Sequence, residues 1–445
     1  MLKTFKLGGV HPAENKFSAD KSIEVLPLPK SVTIPVSQHI GAPATVVVAK
    51  GDMVKVGTLI AKSSGFVSTN IHSSVSGKVS KIDEVMDASG YKKSSVVIEV
   101  DGDEWEETID RSPALVTQCL FDAKTINLKI LEAGIVGLGG ATFPTHIKLA
   151  PPPGSKAEIL IINGVECEPY LTSDHRLMLE KGEEILVGTT ILMKALGVSK
   201  AVIGIENNKK DAIAHLTNLS AKYSGISVCP LKVKYPQGGE KQLIKAVTGR
   251  EVPSGALPIA VGAVVNNVGT AYAVYEAVMK NKPLIERVVT VTGKELAKPS
   301  NFMVRIGTAV QQLVDAAGGL PETTGKIVSG GPMMGRSITT LDVAVTKGTS
   351  GVLLIPGNES SRLPVKPCIR CAKCVTVCPM GLEPYLLMTL SEKRMWEHSE
   401  ENKVMDCIEC GSCSFTCPSS RPLLDHIRLG KTTVGKLIRS RKSAN

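Results

Sequence analysis

The sequence predicts a multidomain α/β protein, and three observations carry that prediction. At 445 residues the chain exceeds what one hydrophobic core usually serves. Its hydrophobic pattern changes along the length: short Val/Ile runs up to about residue 100, alternating helical and strand-like stretches from about 123 to 278, then strands again from 287 to 355. Eight of the eleven cysteines crowd between Cys368 and Cys417. Cutting at these changes gives units 1–115, 116–285, 286–357 and 358–430, followed by a basic tail, 431–445.

Composition narrows the class. A hydrophobic fraction of 43% and a charged fraction of 21% suit a globular chain and are too apolar for disorder. No apolar run reaches the length of a membrane span, because Ala260 to Val278 is broken by Asn266, Asn267 and Glu276. Met1 to Lys6 lack the pattern of a secretory signal, so a cytoplasmic chain is expected, with attachment to a membrane from the side still open. The net charge of +10 gathers after Ser420, in Arg421, Arg428, Lys431, Lys436, Arg439, Arg441 and Lys442 against Asp425 alone. That end reads either as a solvated tail or as a docking patch for anionic lipid or an acidic partner. No nucleic-acid recognition motif accompanies the charge.

In the first unit, Val46-Val47-Val48, Val54-Lys55-Val56 and Leu59-Ile60-Ala61 are separated by Gly, Ser and Asp, as in a small β-sandwich. The pattern resembles lipoyl and biotinyl carrier domains. No lysine stands in the context such domains modify, so a structural module is expected. In the second unit, strands at 159–162, 201–205 and 226–233 alternate with helices at 183–196 and 211–223, which predicts a sheet flanked by helices. Ligands in such folds sit beyond the carboxyl ends of the strands. The third unit reads as mixed β around one helix, 309–317, with Gly330-Gly331-Pro332 in a loop. A proline-bearing linker, Pro356 to Pro367, precedes the last unit.

Cys368, Cys371, Cys374 and Cys378 precede Pro379, and Cys407, Cys410, Cys413 and Cys417 precede Pro418, both as C-x2-C-x2-C-x3-C-P. Three thiolates two residues apart wrap three irons of a [4Fe-4S] cubane, and the fourth serves the neighbouring cluster. One cluster therefore takes Cys368, Cys371, Cys374 and Cys417, and the other Cys407, Cys410, Cys413 and Cys378. Zinc gains nothing from the third close cysteine or the trailing proline, both present twice. Clusters move single electrons, which calls for a two-electron partner group.

The loop Gly134-Ile135-Val136-Gly137-Leu138-Gly139-Gly140-Ala141-Thr142-Phe143-Pro144 lets backbone approach a phosphate closely. Lys148 follows it, Asn163-Gly164-Val165-Glu166-Cys167-Glu168-Pro169 ends the first strand of the second unit, and Gly238-Gly239-Glu240-Lys241 and Asn266-Asn267-Val268-Gly269-Thr270 open helices. In this order the segments resemble the flavin- and NADH-binding subunit of respiratory complex I. With the lipoyl-like start and the double cluster motif, nearly the whole chain is more similar to the RnfC family, a component of the Rnf electron transport complex. The resemblance implies a Rossmann-like flavin domain, an SLBB-like β-grasp domain and a helical ferredoxin domain. It implies FMN held by Gly137, Gly139, Gly140, Ala141, Lys148, Asn163, Glu166, Glu240, Asn266 and Asn267, with Phe143 and Glu168 flanking NAD(H). It further implies a peripheral subunit on the cytoplasmic face, passing electrons between NAD(H), FMN and two clusters, partnered by the other subunits of a membrane complex and indirectly by a ferredoxin-type carrier. No residue is assigned a catalytic role of its own.

Leu138, Val165 and Lys241 depart from the complex I pattern, which leaves the loop intact and the nucleotide contacts open. Phe143 reads equally as core, Glu166 and Glu168 as helix caps, His146 and His175 as packing, Cys167 as non-catalytic, and Cys119 and Cys229 as packing. Two alternatives stand beside this reading: a relay or assembly subunit with intact clusters and no working flavin site, and a soluble NADH-dependent reductase.

Overall fold

The computed structural model describes residues 2–444, with side chains as far as Arg441; the side chain of Lys442, counted above in the basic tail, and residue 445 lie outside it. The α/β unit is a four-stranded parallel sheet ordered Ile226–Leu231, Ala201–Glu206, Ile159–Asn163, Ala263–Asn267. The chain winds outward from Ile159–Asn163 through two strands, then returns to lay Ala263–Asn267 on the opposite side. The strand order thus reverses between Ile159–Asn163 and Ala263–Asn267, where an open sheet leaves a crevice at its carboxyl edge. Strand Ala201–Glu206 is buried at all six positions, as its uninterrupted apolar run requires of a central strand. Helices Gly182–Leu196 and Val268–Lys280 cover one face through Ile185, Ile191, Val274 and Val278, while Glu240–Thr248 covers the other.

The N-terminal module closes around Val32, Ile34, Ile60, Ile71, Val79, Val96 and Ile98, with Lys92–Val100 paired to both Ser31–Pro35 and Gly77–Met86. The third unit is a six-stranded mixed sheet carrying one helix, Val310–Ala316. Its Gly330–Gly335 loop joins Thr324–Ser329 to Arg336–Ile338, as the glycines and proline demand.

The start of the chain differs from the sequence expectation. Residues 2–25 leave the first module: Ile23–Val25 pairs with Ser300–Arg305 of the six-stranded sheet, Lys3 bridges Leu231, and Val10 bridges Tyr235. This arm is held because Lys16 donates to the carbonyls of Glu166, Glu168 and Leu171 at 2.9, 2.9 and 2.6 Å. At Gly8, with φ +65°, a Cβ would stand 2.5 Å from the Cys378 carbonyl group, so the arm passes the cluster unit on bare backbone. The basic end differs too. It is no fraying tail but the second half of one helix, Leu423–Ala444, seated through Leu423, Ile427 and Val434. The apolar positions recur at helical spacing, but Gly430 and Gly435 interrupt the sequence signal.

A buried lysine ties three units together. Lys347 donates from Nζ to Asn70 O (2.9 Å) and Gly134 O (2.7 Å), and its backbone N–H reaches Gln38. Its carbonyl accepts from Arg287, whose other arm reaches Leu138 O in the glycine-rich loop at 3.4 Å. Burial lowers the Lys347 ammonium to about 7 and the Arg287 guanidinium to about 10.

Candidate flavin, nucleotide and cluster sites

At the crevice, the glycine-rich loop, the ends of two strands and the start of Glu240–Thr248 come together. The loop is closed by Gly137 N–H on Phe143 O (2.9 Å) and held to the sheet by Leu138 N–H on Thr270 Oγ1 (2.9 Å). A Cβ at Gly139 would meet the Asn267 side chain at 3.1 Å, whereas Gly140 faces open space at φ +146°. Asn267 caps helix Val268–Lys280 through Gly269 N–H at 2.8 Å and donates to Asp174 at 2.7 Å. Asn163 donates to Gly238 O at 2.9 Å and accepts from Val165 N–H at 3.1 Å. Lys148 meets Glu240 at 2.8 Å and Val265 O at 3.0 Å.

The Asn266 Nδ2 group is buried with no hydrogen-bond partner. An orphaned donor one residue before Asn267, which meets the glycine loop, fits an acceptor-rich ligand such as a flavin phosphate or ring.

Glu166 and Glu168 separate in role. Glu166, at φ +45°, caps helix Ser173–Glu180: its carboxylate accepts from Asp174 N–H (2.7 Å), His175 N–H (3.1 Å) and Ser173 Oγ (3.2 Å). The capping alternative raised by the sequence is thus realised at Glu166. Burial and then Glu166 raise the neighbouring Asp174 carboxyl. Glu168 instead accepts from Met333 and Met334 N–H at 3.2 and 2.7 Å, while its other oxygen is buried without a partner. Burial raises its carboxyl to about 7. The folded value lies above the unfolded one, so ionisation opposes folding as pH rises from about 4.5 to about 7. Glu168→Gln should therefore gain stability relative to the parent chain on going from about pH 5 to about pH 8, by roughly 2–3 kcal/mol, read by urea titration at both pH values.

Phe143 is half-buried at the loop's end. Cys167 accepts from Gly238 N–H at 3.3 Å, and burial pushes its thiol far above the ordinary range, so it is no nucleophile at neutral pH. His175 is buried against Asp211 at 2.8 Å, and burial lowers His146 to about 4.

The eight cluster cysteines occupy two environments. Cys378, Cys407, Cys410 and Cys413 line one pocket with Leu382, Leu387 and Ile427. Burial, and then the other thiols, raise Cys413 to about 12; burial raises Cys407 to about 11. Such thiols ionise when a metal displaces the proton, the condition a cluster supplies. Cys374 is raised by burial and feels Cys417 and Cys368, while Cys368 and Cys371 are exposed. Among the described residues no three ligand side chains converge tightly enough for one mononuclear ion. Cys378 thus stands with the second cysteine run rather than its own, and the donor set suits two cubanes, which span wider ligand sets than zinc does.

Nothing in the sequence announces the joint between the two sites. Tyr235, 2% exposed, donates from its hydroxyl to Cys410 O at 2.7 Å, and Gln242 donates to Pro379 O at 3.2 Å. Gly9 N–H reaches Val377 O at 2.8 Å, and Asp406 accepts from Gly255 N–H at 3.2 Å. These contacts all fall on the loops of the buried thiol set. The one local hint is the position of Tyr235 three residues before the Gly238-Gly239 pair. Tyr235→Phe removes a donor beside the buried cluster, and should lower that cluster's midpoint by up to about 60 mV, tenfold in its one-electron equilibrium, without moving the exposed one. Redox titration followed by EPR checks this.

Comparisons with known proteins agree with this architecture. Family models match in order: an RnfC barrel sandwich hybrid domain at 3–103, a Nuo51 FMN-binding domain at 130–276, an SLBB domain at 288–337 and a 4Fe-4S dicluster domain at 362–418. The C subunit of the proton-translocating ferredoxin:NAD(+) oxidoreductase complex of Clostridium ljungdahlii is 49% identical, over 97% of this chain and 94% of its own. Its Na(+)-translocating counterpart from Acetobacterium woodii is 47% identical over 99% of both chains. The C subunit of the Rhodobacter capsulatus ion-translocating oxidoreductase complex is 42% identical over 87% of this chain and 75% of its own. A chain in the crystal structure of an NAD+-reducing [NiFe]-hydrogenase shares the fold, with TM-score 0.50 and 20% identity over 70% of this chain and 62% of that one. Barrel-sandwich, flavin, SLBB and dicluster units in one chain, with near full-length relatives of one kind, show that the protein belongs to the RnfC family, the C subunits of ion-translocating ferredoxin:NAD(+) oxidoreductase complexes.

Proposed function

We propose that this chain is the nucleotide- and flavin-binding electron-transfer subunit of a membrane-bound, ion-translocating ferredoxin:NAD oxidoreductase, exchanging electrons between NAD(H), FMN and two [4Fe-4S] clusters. The observation that carries this reading is the shared wall between the sites: the segment from Tyr235 to Gln242 forms one side of the glycine-loop crevice and hydrogen-bonds the backbone at Cys410 and Pro379. FMN, when bound, takes electrons as a hydride pair and releases them singly.

The residues of the chain bind and orient. Gly137, Gly139 and Gly140 offer bare backbone with Ala141 next to them, Asn266 offers an unpaired amide, and Asn163, Lys148 and Glu240 line the same crevice. Asn267 is fixed by its cap, and Glu166 holds the helix that carries Asp174 against it. By the likeness to a Nuo51 FMN-binding domain, Glu168 and Phe143 are assigned to the nicotinamide nucleotide. The boundaries near 115, 285 and 357 are kept in this reading, the arm crosses between units, and the one near 430 falls away because a single helix, Leu423–Ala444, runs through it. Among the described residues no helix is long and apolar enough to cross a membrane. We place the protein at the cytoplasmic face, held by the other subunits, with a ferredoxin-type carrier reaching it through them.

Anaerobic reconstitution with iron, sulfide and FMN, followed by NADH, tests the proposal. Flavin bleaching together with reduced-cluster EPR signals is expected. Clusters that form but stay oxidised, with no flavin retained, would leave a relay subunit and overturn the nucleotide site.

A further inference from the structure

The C-terminal unit turns two unlike faces outward. The loops of the buried thiol set are covered by the α/β unit and the arm. Residues 361–373, by contrast, are exposed at every position and contain Cys368 and Cys371. This stretch carries Arg362, Lys366, Arg370 and Lys373 and no carboxylate. It also exposes Leu363, Val365 and Ile369 to 71%, 59% and 67%. Arg362 is tied to Asp425 at 2.6 Å, whereas among the described residues no ion pair engages Lys366, Arg370 or Lys373. Tyr385, 42% exposed, donates its backbone N–H to Cys374 and extends the apolar surface around the same thiols. Apolar side chains grouped at this exposure mark a contact surface rather than ordinary solvent-facing residues. Cations without acids around them set the sign of what binds.

We propose that segment 361–373 is the docking surface for an acidic one-electron subunit of the complex, one that presents carboxylates around its own redox centre. This rests on reading the eight cysteines as cluster ligands. On docking, one electron passes between the exposed cluster and that subunit's centre: one is oxidised, the other reduced, and no bond or proton changes place. The segment is short, but electron-transfer encounters use the smallest interfaces, because turnover needs release as much as binding. Pro364 and Pro367 stiffen the stretch and hold its side chains in place before contact. A bilayer is the poorer occupant, because interfacial binding uses the long apolar face of a helix, and this stretch is irregular chain, with Arg370 and Ala372 at positive φ, around two of the cysteines. Charge steering of this kind acts on the association rate and weakens with salt.

The test uses the intact membrane complex. Carbodiimide joins lysine to carboxylate only where the two touch, and Lys366 and Lys373 should couple to carboxylates of another redox-carrying subunit, with yield falling in high salt. The double variant Lys366→Glu/Arg370→Glu should lose the coupling and slow oxidation of the reduced complex by its acceptor by about tenfold or more. The isolated holo-chain bearing the same substitutions should still show both cluster EPR signals on dithionite reduction. The proposal is overturned if a water-soluble acetylating reagent modifies both lysines as fast in the complex as in the isolated chain. It is overturned in favour of lipid if the holo-chain binds phosphatidylglycerol vesicles, the double variant does not, and no protein cross-link forms. Failure of NADH to reduce the isolated chain would strike the nucleotide reading alone, since cross-linking does not depend on it.

Discussion

Gly139→Val should abolish flavin retention while leaving both clusters in place. A Cβ at this position already stands 3.1 Å from the Cβ and amide of Asn267, and valine adds two methyls beyond it. Asn267 cannot retreat freely, because its oxygen caps helix Val268–Lys280 and its amide reaches Asp174 at 2.7 Å. Either the loop lifts off the sheet, breaking the Leu138 N–H to Thr270 bond, or the cap is lost at about 1 kcal/mol. Both routes deform the surface on which a phosphate or ring would rest. Flavin affinity should fall by about a hundredfold or more, equivalent to roughly 3 kcal/mol, measured by fluorescence quenching on titration with FMN. The cluster EPR signals, belonging to the C-terminal unit, should persist. Unchanged affinity would remove the loop from the flavin site.

Cys378→Ala and Cys368→Ala should have opposite reach. The loops of the Cys378, Cys407, Cys410 and Cys413 set touch Tyr235, Gln242 and Gly9, whereas Cys368 and Cys371 face outward. Losing the buried cluster should therefore leave flavin bleaching intact and the exposed cluster oxidised after NADH, a loss of orders of magnitude in its reduction rate. Losing the exposed cluster should leave the buried one reducible. The reverse pattern, with the exposed cluster reduced in Cys378→Ala and the buried one unreduced in Cys368→Ala, would invert the order. Freeze-quench EPR separates the two cases. Removing a cysteine also leaves a partly built site, so the surviving signal in each variant serves as the check on folding.

Much of this was legible from the chain because it is written locally. Each C-x2-C-x2-C-x3-C-P run sets four cysteines within a dozen residues, and in the structure Cys378 lies among the thiols of the second run. The alternation from Ile159 to Val233 predicts three of the four strands, with element ends displaced by a few residues: the third strand stops at Leu231 rather than Val233, and the second helix at Ser220 rather than Tyr223, while the strand Ala263–Asn267 lies outside that prediction. What escaped was non-local. Tyr235 and Cys410 are far apart in the chain, and nothing in either neighbourhood announces the other. Lys16 sits in a stretch without periodicity, and its three carbonyl partners exist only once the loop around Glu168 has folded. Glu166 and Glu168 share one motif, yet one caps a helix and the other grips a loop from the next unit. That division depends on where Met333 and Met334 arrive, which no local pattern encodes.

The arm described at the start of the chain bears on biosynthesis. Gly9 is made more than three hundred residues before its partner Val377. At ordinary elongation rates of about 5–20 residues per second the N-terminus waits roughly twenty seconds to over a minute before its binding partner is translated. Its other partners, Glu166 to Leu171, Leu231 and Ser300–Arg305, all precede Val377 in the chain, so the contact with the metal-bearing end is the one that is made latest. Only the Gly8–Gly9 stretch must wait for the metal-bearing end, and bulk added there would crowd that late contact and leave the earlier ones intact.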